Sequence, residues 1–260
     1  KLAGERTQMI WESPWGLGFP GWHIECSAMS IDFLDSKVDI HVGGIDLRFP
    51  HHENERAQSN SLTNSEVVGT WVHGEHLLFE GRKMSKSAGN VVLLSDVQAR
   101  GLDPLSLRFS LLENRYRSQM DLSWASLEAA HSTLRRWRKL MSEWGTSLEF
   151  KIDVEITDAL STDLDTPRAM QRLRAIEKDL SVGIQDKRAI FLYADQVLGL
   201  DINRVPELKP LTPELQQLLA DRVRARESKE WARSDSLRAE LEAHGLEISD
   251  GPTGQSWRWK

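Results

Sequence analysis

The chain has 260 residues, of which 40% are hydrophobic and 28% charged, and a formal net charge of −6. This composition is typical of a soluble globular protein and excludes a disordered chain, and no apolar run is long enough to predict a membrane span or a signal peptide. Cys26 is the only cysteine, which excludes an internal disulfide and leads us to expect a reducing, cytoplasmic location.

Residues 1–75 predict part of an α/β domain, with a strand, a loop and a helix in that order. The strand is indicated by the apolar residues of 38–42, the loop by Gly43-Gly44, and the helix by the segment from His51 onward. The chain begins without a methionine and runs into a loop rich in Trp, Pro and Gly. We therefore expect a cut within this domain, which would leave an incomplete sheet with an open edge.

Residues 76–120 predict a connecting region. A hairpin is predicted from 76–79, with its turn at Glu80-Gly81, and a polar loop at 83–90 follows it. Asp103-Pro104 is a cap and first-turn pair, so a helix is predicted to begin there.

Residues 121–205 predict a helical bundle. Ser123 is a suitable cap for a long helix that ends at Gly145, Asp165-Thr166-Pro167 starts another helix, and one more ends at Gly199. The apolar residues of the long helix are spaced alternately by three and four positions, which predicts one buried face. They are Leu127, Ala130, Leu134, Trp137, Met141 and Trp144.

Residues 206–260 predict a small α/β domain. Two helices are expected, one beginning at Thr212-Pro213 and the other ending before Gly245. Residues 246–248 and 257–259 are then expected to pair as strands. The predicted fold is therefore an α/β domain, followed by a helical bundle and a small α/β domain.

Cys26, His51 and Glu55 form a candidate metal site. His51 and Glu55 are four positions apart in a predicted helix, so both side chains project from one face. A thiolate, an imidazole and a carboxylate are suitable zinc ligands, with one position still to fill. The alternative is a buried free cysteine beside a His–Glu pair that caps the helix.

The segment Lys83-Met84-Ser85-Lys86-Ser87 is a candidate phosphate-binding loop. Its two lysines are flanked by small residues, so the loop could close over a triphosphate. Lys83 and Lys86 would then stabilise the charge that develops as pyrophosphate leaves. The alternative is a solvated basic loop.

The same pentapeptide resembles the signature loop of class I aminoacyl-tRNA synthetases. Other segments resemble those of cysteinyl-tRNA synthetases, follow the order of that family and extend over nearly the whole chain. The matching segments are 21–29, 39–55, 116–119, 163–167 and 252–258. The resemblance implies the C-terminal half of a Rossmann-like catalytic domain at 1–75, a stem-contact region at 76–120 and an anticodon-binding domain at 206–260.

The resemblance also implies a role for each candidate residue near the substrate cysteine. Cys26, His51 and Glu55 would bind Zn²⁺, so that Cys26 also lies close to the substrate, and Trp22 would line the amino-acid pocket. Zinc would select cysteine over serine, because sulfur loses its proton readily and binds zinc far better than a hydroxyl group does.

For ATP, which would bind together with Mg²⁺, the resemblance implies a second set of residues. Gly43 and Gly44 would let the backbone approach the adenosine, Asp46 would accept hydrogen bonds from the ribose, and Lys86 would contact ATP. The implied reaction is the activation of cysteine to cysteinyl-adenylate and its transfer to tRNA(Cys).

Two alternatives remain at this level. One is the related mycothiol-pathway ligase, which joins cysteine to an amino-sugar inositol, and the other is a non-catalytic RNA-binding paralogue or split half. In the cysteinyl-tRNA synthetase family, an ATP motif and a further zinc cysteine lie in an N-terminal segment that this chain lacks. We therefore expect little activity from this chain unless that segment is supplied, even as a separate piece.

Two basic clusters are candidates for RNA contact, because Arg and Trp together can neutralise phosphates and stack on unpaired bases. One is 135–139. The other contains Arg222, Arg224, Arg226, Lys229, Trp231 and Arg233. The alternative is ordinary pairing on the helix face, since acidic residues interleave with the second cluster, and burial of Trp137 in the first.

Overall fold

The computed structural model describes residues 2, 4, 8–84, 91–205, 211–251 and 254–259. The chain divides into two compact units, Lys1–Val205 and Pro206–Lys260. Among the described residues, no helix is both long and apolar enough to cross a membrane.

The first unit begins with an α/β region. Its elements are α1 (Trp22–Leu34), β1 (Val38–Gly44), α2 (Glu53–Thr63) and β2 (Val68–Gly74). The two strands are parallel, and Gly43 is opposite His73 in their register. The predicted strand and the helix after His51 are confirmed, and two short helical turns at 45–52 connect them.

Helix α1 was not predicted, because its apolar residues do not lie along one face. Met29 and Phe33 are exposed, and Ser27 is the residue of this helix that is buried. Ser27 donates a hydrogen bond to Gln58 at 3.0 Å, which ties α1 to α2. A polar contact of this kind has no signature in the hydrophobic pattern.

The predicted hairpin is confirmed and forms part of a second sheet. This sheet consists of β3 (Leu77–Phe79), β4 (Arg82–Lys83) and β5 (Met120–Leu122), in the order β4-β3-β5. Glu80 and Gly81 both have positive φ angles, as a tight hairpin turn requires. The carboxylate of Asp121 accepts a hydrogen bond from the Gly81 amide, which holds the turn against β5.

Six helices complete the described part of the first unit: α3 (Leu94–Ala99), α4 (Leu105–Leu112), α5 (Trp124–Glu143), α6 (Val154–Ser161), α7 (Thr166–Lys178) and α8 (Ile184–Leu198). The predicted caps of α5 and α7 are confirmed, since the side chains of Ser123 and Asp165 accept hydrogen bonds from the first turns. All six residues of the predicted apolar face of α5 are buried. At the centre of the core, the ring of Trp137 lies 5.2 Å from those of Phe109 and Phe191.

The second unit is the small α/β domain predicted from the sequence. It consists of α9 (Pro213–Glu227), α10 (Trp231–Ala243), β6 (Leu246–Gly251) and β7 (Gly254–Trp259). The strands are antiparallel, and Ile248 is opposite Trp257. The core of this unit is formed by Leu215, Leu219, Leu241, Leu246 and Ile248. The predicted order of an α/β region, a helical region and a small α/β domain is confirmed.

Candidate active site

Cys26, His51 and Glu55 lie together, although Cys26 comes from α1, His51 from the turn before α2 and Glu55 from the first turn of α2. Their potential ligand atoms are all within 4.8 Å of one another. His51 and Glu55 are buried, and Nε2 of His51 is 2.7 Å from Oε1 of Glu55. The packing of α1 against α2, through Ser27 and Gln58, brings Cys26 to this pair. The geometry therefore fits the three-residue metal site considered from the sequence.

A group of histidines that the sequence analysis did not select surrounds Glu55. Nε2 of His41 lies 3.3 Å from Oε2 of Glu55, and Nδ1 of His52 lies 2.9 Å from Nε2 of His73. The potential ligand atoms of His41, His52 and Glu55 also lie within 4.8 Å of one another. The histidines come from β1, β2 and the turn before α2, so sequence spacing does not reveal the group. The available signal is that both strands carry a histidine, His41 in the middle of β1 and His73 near the end of β2.

Burial determines the ionisation of these groups. It raises the pKa of Glu55 to about 7. It lowers the pKa of His52 to about 4, with neighbouring histidines contributing, and lowers those of His41 and His51. Burial also raises the pKa of Cys26, as does the negative charge of Glu55. Neutral imidazoles are metal ligands, and a bound cation would favour the ionised forms of the carboxyl and thiol groups.

Gly43 and Gly44 lie at the carboxyl end of β1, the edge at which open parallel sheets bind their ligands. A Cβ atom on Gly43 would lie 2.5 Å from Cε1 of His52, and one on Gly44 would lie 2.4 Å from Oδ1 of Asp46. Both glycines therefore leave space for side chains of this chain. Asp46 itself is exposed in the turn that follows β1.

Trp22 lies beside the metal candidates. Its ring centroid is 4.3 Å from that of His51, and it precedes Cys26 by one turn of α1. The side chain is 60% exposed, so it forms the outer wall of this group of residues.

The candidate phosphate-binding loop is described only in part. Lys83 is the exposed last residue of β4, and Met84 packs against the small core around Phe79. Lys86 lies outside the described residues, as does the rest of the segment 85–90.

The first basic cluster is only partly available for RNA contact. Trp137 and Arg138 are buried, so their assignment to an RNA-binding cluster was wrong. The indole of Trp137 donates a hydrogen bond to Glu177, and Arg138 contacts Asp103 and the carbonyl of Asp201. Their neighbours Arg135, Arg136 and Lys139 are exposed.

The second basic cluster also divides into buried and exposed residues. Arg222 is buried, so it was wrongly counted as an RNA-facing residue. Arg224 and Arg233 form ion pairs with Asp221 and Glu230, as expected of helix-face pairing. Arg226 and Trp231 form an outward-facing cation–π pair, which we call the Arg–Trp pair. The guanidinium of Arg226 lies 5.8 Å from the centroid of the Trp231 ring.

Comparison with protein families matches both units. Residues 2–132 match the family described as "tRNA synthetases class I (C) catalytic domain". Residues 208–258 match the "Cysteinyl-tRNA ligase anticodon binding domain".

The chain is similar to curated proteins named cysteine–tRNA ligase. Identity is 39% with that of Burkholderia lata, over 97% of this chain and 54% of the relative. It is 41% with that of Gluconobacter oxydans (95% and 56%) and 38% with that of Thermus thermophilus (99% and 59%). The chain thus spans a little more than half the length of the curated relatives it matches.

Among solved structures, the chain is similar in fold to the LeuRS of a LeuRS–tRNA–LeuAMS complex from Agrobacterium radiobacter K84. The TM-score is 0.56 at 16% identity, over 76% of this chain and 33% of the other. At this identity the likeness concerns the fold alone.

Proposed function

Because the chain belongs to the family of class I (C) tRNA synthetases, we propose that it is the zinc-binding and tRNA-reading part of a cysteine–tRNA ligase. The ligase would activate cysteine with ATP to give cysteinyl-adenylate and pyrophosphate, and then transfer the cysteinyl group to tRNA(Cys). The observation that carries the proposal is the convergence of Cys26, His51 and Glu55 within the region that matches the catalytic domain.

The residues present fit a zinc ion. Zinc binds thiolate, imidazole and carboxylate groups at about 2.0–2.3 Å, so ligand atoms within 4.8 Å of one another can share one ion. The raised pKa of Glu55 supports the same assignment, because a buried carboxylate that resists ionisation is stabilised by a cation. Zinc, when bound, would supply an affinity for thiolate sulfur that the hydroxyl of serine does not match.

Other residues of this chain would position the two small substrates. Trp22 lies next to His51 and would cover the cysteine. At the end of β1, the backbone of Gly43 and Gly44 and the carboxylate of Asp46 would bind the adenosine of ATP. Lys83 and Lys86 would stabilise the charge on the departing pyrophosphate, together with the Mg²⁺ that accompanies ATP.

For tRNA, the second unit offers the Arg–Trp pair. An arginine and an exposed indole side by side can bind a phosphate and stack on an unpaired base. The match of residues 208–258 to an anticodon-binding domain favours tRNA over an amino-sugar as the acceptor of the cysteinyl group.

The test is cysteine-dependent ATP–pyrophosphate exchange, followed by charging of tRNA(Cys). It should be measured on this chain and on the complete reading frame in which it occurs, both with zinc supplied. We expect the reading frame to exchange with cysteine and not with serine, and to charge tRNA(Cys). No exchange by the complete reading frame, when it is folded and loaded with zinc, would refute the proposal. Exchange by that protein without tRNA charging would indicate the sugar ligase.

A further inference from the structure

Arg222 is a charged side chain in the interior of the second unit. It lies on α9, is 1% exposed, and is among the largest fully buried side chains of the described residues. Its Nη1 and Nη2 atoms donate to the two carboxylate oxygens of Asp250, at 3.0 and 2.8 Å. Nη1 also donates to Oε1 of Gln255 at 2.6 Å. The guanidinium of Arg222 is therefore hydrogen-bonded to two side chains, those of Asp250 and Gln255.

These contacts join the hairpin to α9. Asp250 and Gln255 are opposite each other in the register of β6 and β7, next to the connection from Gly251 to Gly254. Gln255 also donates a hydrogen bond to the backbone carbonyl of Leu219, one turn before Arg222 on α9. The end of the hairpin is thus held on the helix by side chains at three points.

Asp250 also connects this interior contact to the surface. Its Oδ2 atom lies 3.1 Å from Nη1 of Arg226, the arginine of the Arg–Trp pair. Trp231 is 56% exposed, so the ring is open to a partner. A continuous set of contacts therefore leads from Arg222 through Asp250 to an exposed cationic and aromatic surface.

Stability does not account for a charge at this position. An ion pair whose arginine is buried contributes little net stability, because removing the guanidinium from water offsets its attraction to the carboxylate, and an apolar side chain of similar size often serves as well. The Nε atom of Arg222 has no hydrogen-bond partner among the described residues, which adds to the cost of its burial. What arginine provides and an apolar side chain does not is a bidentate hold on the Asp250 carboxylate.

We propose that Arg222 is a positioning residue for RNA binding: by holding Asp250, it orients the Arg–Trp pair toward unpaired bases of the tRNA. This inference rests on the proposed function, and it assigns to Arg222 a role in the interior of the domain in place of direct contact with RNA.

The test uses the chain with Arg222→Met, which keeps the length of the side chain, and Arg222→Lys, which keeps the charge. The control is Arg238→Met, which removes one positive charge from an exposed arginine of α10 that pairs with Glu242. Binding is measured with a tRNA(Cys) transcript and with the same transcript carrying a different anticodon. Melting of the variants, followed by circular dichroism, identifies those that are folded at the assay temperature.

We expect Arg222→Met to raise the Kd for the tRNA(Cys) transcript about tenfold or more, an effect typical of a residue important to an interface. The change of anticodon should then weaken binding less than it does in the unmodified chain, which a general loss of stability in a folded variant would not produce. Arg238→Met should leave the anticodon preference unchanged.

An unchanged Kd and anticodon preference in folded Arg222→Met would overturn the inference. If Arg222→Met unfolds the second unit, Arg222→Lys becomes the deciding variant, because lysine keeps the charge and cannot hold both oxygens of Asp250. Full tRNA binding by folded Arg222→Lys would then overturn the inference. Loss of the anticodon preference in that variant would support it. Failure of the unmodified chain to bind tRNA would instead refute the tRNA-reading part of the proposed function.

Discussion

Glu55 is the residue on which the candidate metal centre depends most. One of its oxygens faces His51 and the other faces His41, and the side chain is buried. Burial raises the pKa of Glu55 to about 7 and lowers the pKa values of His41 and His51, so burial disfavours the charged form of all three side chains. A zinc ion held with Cys26 would provide a positive charge beside the carboxylate.

Glu55→Gln should therefore weaken zinc binding, by about tenfold or more, since an amide is a poorer ligand and carries no charge. Affinity is measured by competition with a chelator at neutral pH. The control is Glu53→Gln, which removes an exposed carboxylate from the same first turn of α2. Equal zinc affinity in the two variants would mean that Glu55 is not a ligand.

Asp250 allows a test by pH in the second unit. The hydrogen bond from Arg222 lowers the pKa of Asp250 below its ordinary value of 3.8, so the folded state binds this proton less readily than the unfolded chain. The ionised carboxylate therefore stabilises the unit at pH values above 3.8, and this contribution is lost as the pH falls through the lowered value of the folded state.

Asp250→Asn should accordingly lower the Tm of the second unit at neutral pH, and the difference from the unmodified chain should shrink in acid. Thermal melts recorded from neutral pH into the acid range measure this difference in Tm. Asp235→Asn, at an exposed position of α10, is the control and should follow the unmodified chain throughout. A difference in Tm that is independent of pH would show that the carboxylate's charge contributes nothing.

At the level of the elements, α5 is the helix best specified by its own sequence. Ser123 forms a capping box with Ser126. The side-chain oxygen of Ser123 accepts a hydrogen bond from the backbone amide of Ser126 at 3.1 Å, and the side-chain oxygen of Ser126 accepts one from the backbone amide of Ser123. The apolar face behind it packs into the core of the first unit. A cap and a regular period therefore act on the same segment and favour the same structure.

Ser123→Ala should lower the free energy of unfolding of the first unit by about 0.5–2 kcal/mol, the usual cost of removing a serine cap. Urea unfolding followed by circular dichroism measures it. Ser132→Ala, at an exposed position in the middle of α5, should be neutral or slightly stabilising, because alanine is the better helix former there. An equal effect of the two substitutions would exclude a capping role.

The glycines at the end of β1 are explained by the side chains that lie next to them in the fold. Gly43 is next to the ring of His52, and a Cβ atom there would overlap it. The glycine pair was interpreted from the sequence as an approach to adenosine, and that remains a prediction. The packing adds a second reason for glycine, since His52 must lie over the strand to reach His73.

At the scale of the whole molecule, the chain has two compact units with separate cores. Leu134 is fully buried in the core of the first unit, and Leu241 is fully buried in that of the second. Because the two residues share no core, the loss of one should leave the packing around the other intact.

Leu134→Ala and Leu241→Ala should each cost about 2–5 kcal/mol, from lost burial and the cavity that remains. Each substitution should act on the unfolding transition of its own unit. Scanning calorimetry measures the transitions, with the unmodified chain for comparison. A single transition that both substitutions shift equally would show that the two units unfold together.

The sequence by itself determined the elements whose signals are local. The caps at Ser123, Asp165 and Thr212, the buried face of α5 and the hairpin turn at Glu80 all depend on residues within a few positions of one another. The pairing of His51 with Glu55 belongs to the same class, because one turn of helix brings both side chains to one face.

Only the tertiary structure decided which distant residues meet. His41 and His73 reach the metal candidates because β1 and β2 pair in one register, about 30 residues apart in the chain. Arg138 and Arg222 are basic residues in basic runs, yet both are buried, because carboxylates and carbonyls on other elements accept their hydrogen bonds. The local sequence specifies the side chain's charge, whereas the packing of remote elements decides whether that charge faces water or a partner in the interior.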